Sequence, residues 1–340
     1  MNVYDSIEKF KGVKNPAVTI GTFDGVHLGH QKIIQQLKEG AESIKGESVI
    51  FTFYPHPRMV LFPDDDSLKL LSTEEEKKEQ LEKLGVEHLI IHPFSKAFSR
   101  LTYTEYVRDI LVNRLKVKKL IIGYNHHFGR NREGSFQQLK KLAPVYGFEL
   151  EKIPAQDINK VEISSTKIRK ALEAGDIETA NKFLGYDYSI SGNVVKGKGL
   201  GRDLGYPTAN IQVDDKYKLI PADGIYAVTV EIENKMHNGM MSIGFNPTVN
   251  REKNIESVNT EAGNSTAPFR AVTPKDGLAG RGGKTAEVNI FDFDKDIYDQ
   301  NIRIFFRQKL RDEKKFENME ALKKAIDGDK EKTLKILHPS

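Results

Sequence analysis

The 340-residue sequence predicts two domains of different fold class: an α/β domain with a parallel sheet, then an antiparallel β-barrel with a C-terminal helix. Three observations lead to this prediction. The chain is longer than one typical domain of about 100–200 residues. In its first half, strand-like and helix-like segments alternate. From about residue 185 onward, strand-like segments follow one another with no helix between them.

The elements of the first half are predicted from the spacing of their apolar residues. Short β-branched runs indicate strands at 17–20, 48–53, 88–91, 119–122 and 148–153. Apolar residues at helical spacing indicate helices from residue 28 and at 74–84, 103–115, 136–145, 165–174 and 177–184. Strands separated by helices require crossover connections, which give a parallel sheet covered on both faces. We therefore assign residues 1–185 to the α/β domain.

The second half has the composition of a small barrel. Runs rich in β-branched and aromatic residues, bounded by Gly, Pro and Asn, predict strands at 189–195, 209–213, 224–233, 237–243, 287–293 and 302–310. One helix over 319–337 follows, so we assign residues 186–340 to an antiparallel barrel. Residues 254–284 are rich in Gly, Ser, Thr and Asn and have no periodicity. Such a long stretch without structure is unusual within a domain, and we predict a flexible insertion there.

Composition excludes several classes of protein. A formal net charge of +4 is too balanced for a basic nucleic-acid-binding surface. The sequence has no apolar run long enough to span a membrane and no signal-peptide pattern at its start. With 0 Cys, disulfides, thiolate metal sites and cysteine nucleophiles are excluded. We therefore expect a cytoplasmic protein that acts on small molecules, as a monomer or a weak homo-oligomer, without membrane or nucleic-acid partners.

The first candidate site is the segment Gly21-Thr-Phe-Asp-Gly-Val-His-Leu-Gly-His30, where a strand ends and a helix begins. Backbone N–H groups and the helix dipole favour an anion at such a place. His27 and His30 are three residues apart with Gly29 between them, so both imidazoles can face one phosphate. Two ordinary first-turn histidines are the alternative at this stage. A zinc site is weaker, because a third ligand at the usual spacing is missing from the sequence.

A second segment, Ile163-Ser-Ser-Thr-Lys-Ile-Arg169, places hydroxyl groups and a guanidinium on the first turn of a helix, where they can hold a polyphosphate. A plain capped helix is the alternative for this segment alone. Together, however, the two segments resemble the paired motifs of the HIGH-type nucleotidyltransferases, which have a Rossmann-like sheet.

Further motifs narrow the resemblance. Phe53-Tyr-Pro-His-Pro57 and Ile122-Gly-Tyr-Asn-His-His-Phe-Gly129 follow predicted strands. With the first two segments, they resemble the FAD synthetase module of bacterial bifunctional riboflavin kinase/FAD synthetases. The resemblance implies transfer of an adenylyl group from MgATP to FMN, which gives FAD and pyrophosphate.

The same resemblance implies roles for individual residues of the first half. His27 and His30 would be catalytic, stabilising charge on the α-phosphate and the leaving group. For His56, His126 and His127, a role in the site and a role as an ordinary turn residue are equally good interpretations. The residues implied to bind ATP are Gly21, Phe23, Asp24, Asn125, Ser164, Thr166 and Arg169.

In the second half, five glycines between residues 192 and 205 predict a close-approach loop between two strands. A Gly-rich loop alone is a weak indication of phosphate binding. In the Pro207-Thr-Ala-Asn210 segment that follows, Thr208 and Asn210 point to one side of a strand, and their oxygens suit Mg²⁺.

This loop and the later motifs resemble the riboflavin kinase barrel. The resemblance implies ATP binding by Gly197, Gly199, Gly201, Thr208 and Asn210. Glu287 would be the general base that accepts the proton of the riboflavin 5′-hydroxyl. Arg311 and Phe316 would lie at the flavin; a solvated charge and a core aromatic are the alternatives for these two.

The sequence thus predicts a bifunctional enzyme that converts riboflavin to FMN and FMN to FAD, with Mg²⁺ serving both steps. ATP, riboflavin, FMN and FAD are then substrates or products. One alternative is activity in the first domain only, with the kinase domain impaired by the insertion and retained as a flavin-binding module. A second is another HIGH-type transferase with an unrelated barrel. A third is a non-enzymatic nucleotide- or flavin-binding regulator.

Overall fold

The computed structural model describes residues 1–65, 67–123, 126–153, 157, 158, 161–197, 201, 205–245 and 284–338. The chain divides into two compact units. Unit 1 comprises Met1–Tyr188 together with Tyr217–Ile220, and unit 2 comprises Ser189–Lys216 and Pro221–Ser340. The boundary between functional domains at residue 185 stays a prediction.

Unit 1 is built on a six-stranded parallel sheet, as the alternating pattern predicts. Its spatial order is β1-β4-β3-β2-β5-β6, so the chain crosses over between strands rather than forming hairpins. The strands are β1 (Asn2–Tyr4), β2 (Ala17–Ile20), β3 (Ser48–Tyr54), β4 (His88–Pro93), β5 (Lys119–Gly123) and β6 (Glu149–Ile153). Strand β1 was not predicted, because its three residues at the sheet edge are exposed or only half-buried and have no apolar pattern.

Helices cover both faces of this sheet. Val18 and Leu120 belong to one buried cluster, and Ala17 and Ile121 belong to the other, as expected for strands buried on both sides. The helices are α1 (Leu28–Ser43), α2 (Pro57–Leu61), α3 (Glu74–Lys83), α4 (Tyr103–Glu105), α5 (Phe136–Tyr146), α6 (Ser165–Ala174) and α7 (Ile177–Leu184). Helix α4 continues as a π-helix over Tyr106–Arg114. Two short strands, β7 (Asp157–Ile158) and β8 (Val161–Glu162), pair with each other.

Unit 2 is a closed antiparallel barrel, which confirms the predicted change of fold class. The strand order around the barrel is β10-β13-β12-β11-β14-β9. The strands are β9 (Ser189–Val195), β10 (Ala209–Gln212), β11 (Gly224–Ile232), β12 (Lys235–Phe245), β13 (Lys284–Ile290) and β14 (Asn301–Arg311). The C-terminal helix α8 (Met319–Leu337) has the bounds that the sequence predicts.

The predicted insertion at 254–284 lies outside the described residues except for its last residue. Lys284 is the first residue of β13, so the strand begins three residues earlier than the predicted start at Glu287. Within the described part of the chain, no helix is both long enough and apolar enough to cross a lipid bilayer.

Candidate active sites

A cavity of about 1170 Å³ opens in unit 1 where β2, β3 and β5 end. The carboxyl ends of parallel strands are the usual ligand position in open α/β sheets. Its wall includes Ile20, Phe53 and Gly123 from those strand ends. The predicted site residues that also line it are Gly21, Phe23, His27, His30, Ser164 and Thr166.

The turn between β2 and α1 has an unusual backbone. Phe23 and Val26 have positive φ angles of 48° and 34°, and Gly25 has a φ of 79°. Non-glycine residues occupy this region only where the surrounding structure holds them there. Phe23 and Val26 are both buried, which anchors the turn. This strained turn places His27 immediately before the first residue of α1.

His27 and His30 are brought into direct contact. Their rings stack with centroids 3.7 Å apart and 14° between their planes. His27 is the N-cap of α1, where its Nδ1 accepts the His30 backbone N–H at 3.3 Å. That acceptor role leaves Nε2 of His27 as the nitrogen that can donate a hydrogen bond. Nδ1 of His30 is buried and has no partner among the described residues.

Both imidazoles are neutral at pH 7. Burial lowers the pKa of His27 to about 4, although the nearby Asp24 carboxylate acts in the opposite direction. Burial also lowers the pKa of His30 well below its usual value, and proximity to His27 lowers it further. Two neutral imidazoles, one of them with an unpartnered nitrogen, can hydrogen-bond phosphate oxygens without prior loss of a proton.

The N-terminus of helix α6 also lines the cavity. Ser164 is its N-cap and accepts the Lys167 N–H at 3.4 Å, and Ser165 Oγ donates to the Asp24 carbonyl at 3.1 Å. Thr166 lines the cavity. The structure therefore brings the two sequence motifs together at one cavity, each with a helix N-terminus.

Asp24 and Arg169 are held mainly by the protein itself. The Asp24 carboxylate accepts the N–H groups of Leu71 and Ser72 at 2.9 and 3.3 Å, and it forms a short ion pair with Arg169. Arg169 also donates to the Lys69 carbonyl at 2.6 Å. Since the side chain of Asp24 is only 4% exposed, its carboxylate is committed to these donors. The binding of ATP by Asp24 and Arg169 stays a prediction.

Lys77 of α3 is a further charged residue that acts on the histidines of this site, and the sequence pattern does not predict it. Burial lowers the pKa of Lys77, which Asp24 and Glu74 oppose. The charge of Lys77 in turn lowers the pKa of His30. Burial lowers the pKa of His56 to about 4, and the charges of Arg169 and Lys77 add to this effect. Nothing in the local sequence of this charged helix distinguishes Lys77 from the other charged residues around it.

The later histidine motif is only partly described. Asn125 lies outside the described residues. His126 stacks on Phe128 with centroids 5.8 Å apart, and its Nε2 is buried with no partner in the described part of the chain. Burial lowers the pKa of His126 to about 4, with His127 and Arg132 adding to the effect. Its neutral ring lines the same cavity as His27 and His30.

In unit 2, the predicted kinase residues meet on neighbouring strands. Asn210 of β10 is the register partner of Glu287 on β13. Thr208 Oγ1 donates to Glu287 Oε2 at 3.2 Å. A Cβ at Gly197 would lie 1.9 Å from the Asn210 amide nitrogen, and a Cβ at Gly201 would lie 2.3 Å from the Tyr206 carbonyl oxygen. The loop therefore needs glycine where it approaches Thr208 and Asn210; Gly199 lies outside the described residues.

Arg311 is oriented by the C-terminal helix. Its guanidinium donates to Asp329 of α8 at 2.9 Å through Nε and 2.8 Å through Nη2, and to the Asp312 carbonyl at 3.0 Å through Nη1. The ring of Phe316 lies 5.6 Å from the Arg311 guanidinium carbon. The two predicted flavin-site residues are thus neighbours, although flavin binding by them stays a prediction.

Comparison with known proteins agrees with this pair of sites. The FAD synthetase family model matches residues 10–167, and the riboflavin kinase family model matches residues 184–337. A bifunctional riboflavin kinase/FMN adenylyltransferase of Listeria monocytogenes is 35% identical over 94% of this chain and 91% of its own. The chain belongs to the bifunctional riboflavin kinase/FMN adenylyltransferase family. A Bacillus subtilis protein of the same name is 33% identical over 94% of this chain and 91% of its own.

The fold of this family member is also found in a solved structure. A Streptococcus pneumoniae protein, described as a macrolide-efflux protein, matches with a TM-score of 0.80 and 29% identity, and the match covers 97% of each chain. Because that match spans the whole chain, it includes both the parallel sheet and the barrel.

The barrel site of the family member has donors suited to Mg²⁺. Thr208 offers a hydroxyl, Asn210 an amide oxygen and Glu287 a carboxylate, which are hard oxygen ligands. Their convergence around Glu287 of β13, with glycines where side chains would obstruct it, fits an ATP-bound cation. Among the described residues, no group of three His, Cys, Asp or Glu forms an all-protein metal site.

Proposed function

We propose that this chain makes FAD from riboflavin in two ATP-dependent steps. In the first, riboflavin receives the γ-phosphoryl group of ATP, giving FMN and ADP. In the second, FMN receives the adenylyl group of another ATP, giving FAD and pyrophosphate. Matches to both family models support two activities, and the whole-length relatives named for both support their presence in one chain.

The adenylyl transfer is assigned to the cavity of unit 1. An FMN phosphate oxygen attacks the α-phosphorus of ATP while the bond to the pyrophosphate oxygen breaks, so no covalent enzyme intermediate is needed. The observation that carries this proposal is the stacked pair His27–His30 at the start of α1, which lines the same cavity as the N-terminus of α6. Hydrogen bonds from these neutral rings stabilise the charge that develops on the phosphate oxygens.

The kinase step is assigned to the barrel site around Glu287 of β13. The Glu287 carboxylate accepts the proton of the riboflavin 5′-hydroxyl as that oxygen attacks the γ-phosphorus, and ADP leaves. The Thr208 hydroxyl, 3.2 Å from Oε2, orients the carboxylate. Thr208 and Asn210 would hold the Mg²⁺ that accompanies ATP, and the cation would neutralise phosphate charge.

Two variants separate the activities. We expect His30→Ala to form FMN from riboflavin at the wild-type rate and to lose FAD synthesis from FMN by about 100-fold or more, as loss of a charge-stabilising donor does. Glu287→Gln should show the reverse pattern. Both reactions are followed by chromatography of the flavins. Full FAD synthesis by His30→Ala would refute the assignment of the unit 1 site.

The other readings are less well supported. A chain active only in its first domain is not favoured, because the kinase model also matches and Thr208, Asn210 and Glu287 are assembled. The effect of residues 254–284 on kinase turnover remains to be measured by deleting them. The cytoplasmic location and the monomeric or weakly associated state stay predictions.

A further inference from the structure

A short segment from the second half of the chain completes unit 1. Residues Tyr217–Ile220 pair with the strip 70–72, which precedes α3. Leu70 N–H donates to the Tyr217 carbonyl at 2.7 Å, and Leu219 N–H donates to the Leu70 carbonyl at 2.9 Å. This bridge carries Lys218 into the interior, where the residue is only 4% exposed. A lysine at such depth needs partners for its charge.

The Lys218 ammonium has more partners than charge compensation requires. It donates to Glu76 Oε2 at 2.6 Å, which neutralises it, and it lies 4.5 Å from the centre of the Tyr188 ring. It also donates to the Leu71 carbonyl at 2.7 Å. This last bond connects the ammonium to the strip 70–72.

The opposite side of the same strip is bound to the turn that precedes α1. The N–H groups of Leu71 and Ser72 donate to Asp24, and Ser72 Oγ accepts the Gly25 N–H at 3.1 Å. Asp24 in turn pairs with Arg169. The strip therefore lies between the Lys218 ammonium on its carbonyl side and the turn leading to His27 on its amide side.

We propose that Lys218 is a positioning residue for adenylyl transfer: by fixing the Leu71 carbonyl it holds the amides that orient Asp24, and through Asp24 it fixes Arg169 and the turn before His27. This inference rests on the proposed function of unit 1. Lys218 touches neither nucleotide nor flavin in this assignment. Its effect is on the placement of groups that do, and displacement of such groups by about 1 Å can cost about 100-fold in rate.

The test uses the full-length double variant Lys218→Met/Glu76→Gln, which removes both buried charges together and leaves neither unpaired. We expect a thermal midpoint near that of the wild type. We also expect kcat for FAD synthesis from FMN and MgATP to fall by about tenfold or more, with KM for FMN within about twofold. FMN formation from riboflavin by the same preparation should not change. Glu76→Gln is the comparison variant: its thermal midpoint should fall, because the Lys218 ammonium loses its carboxylate, but it keeps the bond to Leu71, and the folded protein should retain FAD synthesis within about threefold.

If the double variant does not fold, Lys218→Gln/Glu76→Gln replaces it, because its two amides can hydrogen-bond each other, and it carries the same expectation. A folded double variant with wild-type kcat for FAD synthesis overturns the inference, since Lys218 would then serve stability alone. A fall in kcat of Glu76→Gln equal to that of the double variant also overturns it. A wild-type protein that makes no FAD from FMN would instead refute the proposed function.

Discussion

Replacing Asp24 by Ala should be among the most destabilising single changes in unit 1. The substitution leaves the Arg169 guanidinium, whose side chain is 17% exposed, without its carboxylate partner, and it removes the acceptor of the Leu71 and Ser72 amides. Loss of one partner from a buried ion pair costs about 3–5 kcal/mol, and each orphaned amide adds about 1–3 kcal/mol. Relaxation and water entry reduce the sum, so we expect a loss of about 4 kcal/mol, a large part of a typical stability of about 5–15 kcal/mol.

The assay is urea unfolding followed by circular dichroism, with FAD synthesis measured on the same preparation. Asp5→Ala is the matched control, because it removes an exposed carboxylate whose 2.6 Å pair with Lys9 is worth at most about 1 kcal/mol. FAD synthesis by Asp24→Ala should fall together with stability, since Arg169 and the turn before His27 lose their common anchor. A loss below about 1 kcal/mol, or FAD synthesis within twofold of the wild type, would refute this reasoning.

Three further predictions concern other parts of the molecule. His27 has a pKa of about 4 against a usual 6.5, so the unfolded chain takes up a proton that the folded chain does not, and stability is lost as pH falls from 6.5 toward 4. In thermal unfolding at pH 7 and pH 5, His27→Asn should therefore lose less stability than the wild type, by up to about 1.4 kcal/mol per pH unit, and an unchanged slope would contradict the burial effect. Gly25→Ala should cost about 2 kcal/mol more than Gly147→Ala: both have positive φ, but an added Cβ at Gly25 lies 2.8 Å from Leu71 Cδ1, whereas Gly147 has open space. Equal thermal midpoints for the two glycine variants would contradict that ranking. Arg311→Met leaves Asp329, whose side chain is 4% exposed, without its guanidinium and should destabilise unit 2 by about 3 kcal/mol in urea unfolding; a change below about 1 kcal/mol would show that the pair does not hold α8.

Local pattern was sufficient for most of the fold. The predicted bounds of β2, α6, α7 and α8 agree with the structure, because each combines a clear apolar period with a turn or cap residue at its ends. The π-helix over Tyr106–Arg114 was predicted only as an ordinary helix, since the spacing of apolar residues does not distinguish the two hydrogen-bond patterns.

For the site, local spacing predicts the contacts between residues close in sequence but not those between residues far apart. The three-residue spacing of His27 and His30 at a helix start predicts that both can face one ligand, and the structure stacks their rings. The commitment of Asp24 to donors 47 and 145 positions away has no local pattern. Lys218 is a stronger case, because its partner Glu76 lies 142 positions away and belongs to a segment that otherwise resembles an exposed, charged helix. Pairings across such distances depend on tertiary structure and cannot be read from composition or spacing.

The central claim, two ATP-dependent steps in one chain, is tested most directly by following labelled phosphate into the flavins. Purified protein is incubated with riboflavin and either γ-labelled or α-labelled MgATP, and FMN and FAD are separated by chromatography. We expect the γ-label in FMN and in FAD, and the α-label in FAD alone. Absence of γ-label from FMN would contradict the kinase assignment, and absence of α-label from FAD would contradict the adenylyl transfer.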